Sequence, residues 1–315
     1  MKKRVLLLVG PTGVGKTAVS LELSKRMDCE IASADSRQIY RYMNIGTAKP
    51  TRVQLQMAPH HFIDIRDPDE YCSAGQFSRE ARQCIDEIFS RSRQPIVVGG
   101  SGLYIRALVD GLFSPRISDE TIKENLRQQL RGSGIAKLYE QLMTVDPVTA
   151  SRLHPTDTQR ILRALEVCQI TGRPFSEFLE MSPQPADFEP VFIGLTMERQ
   201  ALYERIDQRV DDMLANGFLD EIRDLQRRGY GLHLNSLQTV GYKEAFIFLQ
   251  NELSYQEMVR LMKQKSRNYA KRQLTWFRRD SRISWIEWTD DQTLSKIASR
   301  IFNECSGEYQ HRKKA

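Results

Sequence analysis

Arg4-Val5-Leu6-Leu7-Leu8-Val9, followed at once by Gly10-Pro11-Thr12-Gly13-Val14-Gly15-Lys16-Thr17, decides the fold. After Arg4, Val5 to Val9 is an uninterrupted apolar run, the pattern of a strand buried on both faces of a parallel sheet. The next eight fit G-x-x-x-x-G-K-[ST], a phosphate-binding loop, and they stand where that loop works, between a buried strand and a helix. Its glycines let successive backbone N–H groups point inward around a phosphate chain, and the positive end of the helix that follows adds to the attraction. Lys16 supplies a point charge, and the Thr17 hydroxyl suits Mg²⁺. Which phosphates bind is left open: a nucleoside triphosphate is the default, and a diphosphate ester satisfies the same donors.

Working outward, Glu30 to Ala34, Gln94 to Val98 and Pro190 to Leu195 read as three further strands. Thr17 to Met27 is the helix after the first. Strands alternating with helical segments predict an α/β core, an open parallel sheet with helices on both faces. From about Phe113 to Asp187 the strand pattern stops. A helix capped by Ser118 is expected to run through Leu130, to break at Gly132 and Gly134, and to resume from Ala136 to Met143. Thr156 is the expected N-cap of Asp157 to Ile170, with Gly172 and Pro174 closing that helix. Pro183, Pro185 and Pro190 mark the return. The expected organisation is thus a phosphate-loop core over 1–112 and 188–315, with an all-helical insertion over 113–187. Glu198 to Ala215 and Phe218 to Arg228 are helices stopped by Asn216-Gly217 and Gly229, and the tail from Gln310 to Ala315 is expected to fray.

The chain of 315 residues has room for about two domains. Hydrophobic residues at 40% and charged residues at 27% exclude a disordered or fibrous chain. The apolar run at Val5 to Val9 is far shorter than the roughly 20 residues of a membrane helix, so neither anchor nor leader is expected. Cys29, Cys72, Cys84, Cys168 and Cys305 are scattered, with no metal-ligand spacing. They read as reduced thiols of a cytoplasmic protein without structural zinc.

Lysine and arginine number 46 against 40 acids, a net of +6. The excess is concentrated: Val259 to Arg282 holds nine basic residues and one acid, Asp280. A helix over Ser254 to Phe277 carries most of them, and either a polyanion or water faces it. Tyr269, Trp276 and Phe277 on that helix are stacking platforms or core, and helical spacing favours core.

Two strand ends add chemistry. Gly99-Gly100-Ser101-Gly102 follows the third strand and opens a helix at Leu103, so it faces the crevice where open α/β sheets bind ligands. Asp35 directly follows the second strand, where a carboxylate holds Mg²⁺ through water, accepts a proton, or caps a turn. The third strand ends in glycines rather than in the acid of a hydrolase, which argues against a motor or switch ATPase.

Together with these segments, Asp35-Ser36-Arg37-Gln38-Ile39-Tyr40, Gly46-Thr47-Ala48-Lys49-Pro50, Pro59-His60-His61-Phe62-Ile63-Asp64, Gly99 to Tyr104, Gln159-Arg160-Ile161-Leu162-Arg163-Ala164-Leu165-Glu166, Gln238-Thr239-Val240-Gly241-Tyr242-Lys243 and Lys271-Arg272-Gln273-Leu274-Thr275-Trp276-Phe277 make the chain resemble the tRNA dimethylallyltransferases, or tRNA isopentenyltransferases, over almost its full length. Ser101 stands where many relatives carry Thr, which keeps the hydroxyl. The zinc-finger tail of eukaryotic relatives has no counterpart, so the bacterial form is implied.

The resemblance implies transfer of a dimethylallyl group from dimethylallyl diphosphate to the exocyclic amine of the adenosine immediately 3′ of the anticodon. It implies Gly10 to Thr17 as the diphosphate site, with Mg²⁺ on Thr17, and Arg223 as a further cation on the leaving group. Asp35 is then the proton acceptor, and with Ser36 and Gln38 it reads the base. Arg37, Ser101, Lys123, Gln159 to Arg163, Gln238 to Lys243 and Lys271 to Trp276 are implied tRNA contacts along the anticodon stem-loop. Thr47 and Lys49 are weaker candidates for substrate contact. His60-His61 reads as a structural, hydrogen-bonded pair. A monomer is expected. The alternative is a nucleoside or nucleotide kinase, which shares the phosphate loop.

Overall fold

The computed structural model describes residues 3–112, 118–180, 184–289 and 293–311. It divides into two compact units, Met1–Val109 with Ala186–Ala315, and Asp110–Pro185. Phe113, Pro183 and the last four residues of the tail, all named above, lie outside the described residues.

The first unit is built on six parallel strands: β1 (Arg4–Val9), β2 (Cys29–Ser33), β3 (His60–His61), β4 (Gln94–Gly99), β5 (Glu189–Met197) and β6 (Ser284–Trp288). Their order is β3-β2-β4-β1-β5-β6. The apolar run of β1 is central, with Leu7 registered on Val97 of β4 and on Phe192 of β5. Leu6, Leu8, Ile31, Ile96, Val98, Ile193 and Leu195 form the buried sheet core, closed by Leu202 and Ile206 and by Ile297 and Ile301 from two covering helices. Because β4 lies between β1 and β2, the loops leaving β1, β2 and β4 end side by side at the carboxyl edge, the switch point where such sheets bind ligands.

The two edge strands had no counterpart in the sequence reading. β3 is only two residues long, and Ser-Trp-Ile-Glu-Trp of β6 alternates as a half-exposed edge should. Under β3, buried Glu30 accepts from Arg91 Nε and Nη2 at 2.9 and 2.8 Å and meets His61 Nε2 at 2.7 Å.

The second unit has its own core of Leu126, Leu138, Leu142, Ala150, Ile161, Ala164 and Leu165. Two helix starts differ from expectation by one residue. Asp119, not Ser118, caps the first helix, accepting from Thr121 N at 2.8 Å, and Asp157, not Thr156, caps Thr158–Thr171. A carboxylate wins both positions because it accepts more strongly than a hydroxyl and sits on the positive helix end. The expected break becomes a kink: one helix runs Glu120–Val145 and bends at Gly134 (φ 77°). Buried Asp146 staples the unit, with Thr149 N and Ser176 N donating to it at 3.0 and 2.8 Å. Burial pushes its pKa up, but these hydrogen bonds and those of the two hydroxyls outweigh it and leave the carboxyl below its ordinary value.

Candidate active site

A cavity of about 780 Å³ opens at the carboxyl edge of the first unit's sheet. Its floor is the phosphate loop. Gly15 adopts φ 95°, in the left-handed region, and a side chain there would run into the Trp288 ring of β6. Lys16 folds back over the loop, its Nζ donating to Gly10 O at 3.0 Å and Pro11 O at 2.8 Å. Burial lowers the Lys16 pKa to about 8, against the pull of Asp35 and with the push of Arg209. Thr17 also lines the cavity.

Asp35 lies opposite, at the end of β2. Its Oδ1 accepts from Arg37 N at 2.9 Å and Gln38 N at 3.4 Å, which caps a turn. Its Oδ2 makes no hydrogen bond among the described residues, so the capping and the chemical readings fall on different oxygens of one group. The neighbouring loop is tied down by Ser101, whose Oγ accepts from Ser36 N at 3.0 Å.

The structure does not bring Arg223 to this site. It is exposed on the Phe218–Arg227 helix and pairs with Asp220 at 2.6 Å, one turn away. The cation in its place is Arg209, from the Arg199–Ala215 helix. Burial lowers the Arg209 pKa, with Asp35 opposing, and its Nη2 donates to Thr47 O at 3.5 Å. Arg205, one turn earlier, lines the cavity with its guanidinium 4.7 Å from the Trp288 ring centre. Both escaped the sequence reading. The available signal was their i,i+4 spacing beside Ile206 and Val210, which places them at the margin of a buried helix face.

Several expected substrate and RNA contacts have partners within the protein. Gln273 is buried and bridges the two glycine-rich turns, accepting from Thr12 N at 2.8 Å and donating to Gly100 O at 2.9 Å. Tyr242 is wholly buried and donates to Glu221 Oε1 at 2.6 Å. Gly241 is buried too, its N–H donating to Glu244 at 2.7 Å. Ile161 is core of the second unit, with Leu162 packed on it, and Leu274 packs on the sheet core. Arg37 is committed to Asn235 O at 3.0 Å, and the Gln38 amide to Thr47 O, Ala48 O and Ser33 Oγ at 3.1 to 3.2 Å. Lys49 spends its donors on Tyr40 O, Asn44 and Asp64, and the Thr47 hydroxyl donates to Met43 O at 2.6 Å. Alternating apolar and polar residues on one helix look alike whether the polar ones face a ligand or another loop.

Arg37, Gln38, Thr47, Lys49, Gly241 and Gln273 nevertheless line the cavity, as do Gln238, Thr239 and Val240, and Lys243 is exposed beside them. In the second unit Gln159 and Arg160 are exposed, Arg160 near Asp157 at 3.4 Å, while Arg163 meets Glu166 at 2.8 Å and Lys123 meets Glu120 at 2.6 Å. His61 is the structural histidine expected. His60 is less simple: its Nδ1 meets Ala58 O at 2.8 Å, its buried Nε2 has no partner among the described residues, and its ring lines the cavity.

The basic helix spans Tyr255–Phe277, capped by Ser254. Neighbouring acids neutralise much of its charge: Arg260 pairs with Glu257, Lys263 with Asp211, Lys265 with Glu244 and Arg267 with Asp207. Arg282, beyond it, pairs with Asp280. Lys271, Arg272, Arg278 and Arg279 make no ion pair among the described residues and cluster at the helix's carboxyl end, where Thr275 is exposed too. Phe277 is core, but Trp276, expected to favour core, is 38% exposed. Tyr269 lines the cavity; burial, then Asp35, pushes its phenol up to about 12.

A phosphate loop, two arginines and a carboxylate with one uncommitted oxygen around a single cavity define a group-transfer enzyme acting on a phosphate ester. A family model described as IPP transferase matches residues 38–280, and the chain belongs to that family. The tRNA dimethylallyltransferase of Geobacillus thermodenitrificans is 43% identical over 309 residues, 98% of each chain, and that of Geobacter metallireducens is 45% identical over 301, covering 94% of this chain and 97% of the other. The full-length tRNA isopentenylpyrophosphate transferase of Bacillus halodurans superposes with a TM-score of 0.74 at 39% identity, over 100% of this chain and 99% of that one. A eukaryotic dimethylallyltransferase captured acting on tRNA gives 0.82 at 28% identity, over 98% of this chain and 80% of that one.

Proposed function

We propose that this chain transfers a dimethylallyl group from dimethylallyl diphosphate to N6 of the adenosine immediately 3′ of the anticodon in tRNA. The observation that carries the reading is the meeting in one cavity of Lys16 and Arg209 with Asp35, in a chain matched along its length by tRNA dimethylallyltransferases. The N6 lone pair forms a bond to C1 of the allyl group as the C1–O bond breaks, and the diphosphate leaves with that electron pair. Loop N–H groups, Lys16 and Arg209 are aimed at the charge building on the leaving oxygens. The N6 lone pair is delocalised into the ring, so attack needs the proton removed as the bond forms; Asp35 Oδ2 is the acceptor.

The donor set fits Mg²⁺: the Thr17 hydroxyl and Asp35 are hard oxygen ligands, and the cavity leaves room for substrate phosphates and water. Thr17, with Asp35 through water, would hold the ion, which supplies Lewis-acid neutralisation of the diphosphate. Flipping the adenosine out of its stack costs a few kcal/mol, and less in an unpaired loop. Lys271, Arg272 and Trp276 in the core unit, and Lys123, Gln159, Arg160 and Arg163 in the insertion, are the proposed contacts to the anticodon stem-loop. No helix among the described residues is long and apolar enough to cross a membrane; action as a monomer in the cytoplasm is part of the proposal. Incubation with radiolabelled dimethylallyl diphosphate and total tRNA should place label in RNA. Label absent from RNA, with ATP bound in preference to the diphosphate, would favour the kinase reading.

A further inference from the structure

The loop Asn44–Lys49 lines the cavity through Gly46, Thr47, Ala48 and Lys49, and its shape is set from outside the site. Glu221, on the same helix turn as Arg223, inserts its carboxylate into a nest of successive backbone amides. Oε2 accepts from Asn44 N at 2.8 Å and Ile45 N at 2.7 Å, and Oε1 from Gly46 N at 3.2 Å and from the Tyr242 hydroxyl at 2.6 Å. Four donors on one carboxylate, three of them consecutive amides, make charge-assisted bonds that fix this backbone segment. Gly46 has to be glycine here, since a side chain would collide with the Phe218 and Tyr242 rings.

What the held loop presents is the Thr47 carbonyl. It accepts from Arg209 Nη2 at 3.5 Å and from Gln38 Nε2 at 3.2 Å. Arg209 is the half-buried cation on the leaving-group side, and the Gln38 backbone N–H donates to Asp35 Oδ1 at 3.4 Å on the nucleophile side. One carbonyl therefore orients a group at each end of the breaking and forming bonds. We infer that Glu221 is a positioning residue for transfer, setting Arg209 and Asp35 in register through the Thr47 carbonyl without touching either substrate. This role rests on the proposed function above.

Its test is single-turnover transfer by Glu221→Gln and Tyr242→Phe, with Asp220→Asn, an exposed neighbour outside the nest, as control. The reaction amplitude counts competent sites, and the rate reports their geometry. Glu221→Gln turns an NH₂ toward amides that need an acceptor, so its rate should fall about tenfold or more at near-full amplitude, with KM raised for both dimethylallyl diphosphate and tRNA. Tyr242→Phe removes one donor of four, keeps the ring packing, and should show a smaller loss of the same kind. Asp220→Asn should match wild type. If both variants lose only amplitude, with rate and both KM values unchanged, Glu221 is a fold-stabilising group and the inference is wrong; wild-type kinetics in both variants would overturn it as well. Wild type that transfers nothing would instead overturn the proposed function.

Discussion

Lys16 meets its ligand with a charge already weakened by burial, and this has a pH signature. With its pKa lowered to about 8 in the free protein, the ammonium is present at pH 7 and lost as pH rises through 8. Affinity for dimethylallyl diphosphate should fall by up to about tenfold per pH unit above 8, because the neutral amine loses its attraction for phosphate. The rate at saturation should change less, since bound diphosphate holds the proton on. Lys16→Met should bind weakly at every pH and show no such bend; the same bend in that variant would assign it elsewhere. Asp35→Ala should cut the single-turnover rate by about 10² or more while tRNA affinity stays within about twofold, because one carboxylate adds little to a phosphate-dominated interface. Full activity in that variant would leave Asp35 only its turn-capping role. At this scale the phosphate loop was legible in sequence because its chemistry is local and ordered along the chain. Arg209 and Glu221 were not: each is an ordinary charged residue on a mixed-charge helix until a distant loop folds onto it.

Among elements, β1, β2, β4 and β5 could be read directly, since strands buried on both faces are continuous apolar runs. The edge strands could not; two histidines carry no period, and β6 alternates over only five residues. The β2–β3 edge rests on Glu30, which Arg91 holds down at a pKa of about 2 against burial, with help from His61 and Arg93. A carboxyl depressed this way stabilises the fold above its ordinary value near 4.5, and that contribution is lost as pH falls towards 2. Glu30→Gln should cost about 3 kcal/mol at pH 7 in denaturant unfolding and flatten the acid limb of the stability curve. An unchanged acid limb would place the acid sensitivity in another group. The basic helix was legible as a run of charge but not as a set of ion pairs, because its partner acids lie mostly on other helices. Only the Lys271 and Arg272 end keeps charge to spare, so their joint removal to Ala should make log affinity for tRNA less salt-dependent by roughly one to two units. The paired Arg260 and Lys263 should leave the slope nearly intact. Equal effects of both double variants would mean that the ion pairs open on binding RNA.

For the whole molecule, the sequence marked an α/β core and a strand-free stretch within it, and each of the two units has a core of its own. What it left out is how residues far apart in the chain meet at one cavity: residue 16 after β1, residue 35 after β2, residue 209 on a late helix and residue 273 tying the two glycine-rich turns together. That assembly is a property of the strand order, with β4 between β1 and β2, and no local pattern encodes it. If this cavity joins a dimethylallyl donor to one adenosine of tRNA, the product itself shows it. The direct measurement is mass analysis of nuclease digests after reaction with dimethylallyl diphosphate, on two tRNA transcripts that differ only in carrying adenosine or guanosine immediately 3′ of the anticodon. We expect one dimethylallyl group per molecule, at N6 of that adenosine, and none on the guanosine transcript. Equal modification of both transcripts, or of neither, would contradict that activity.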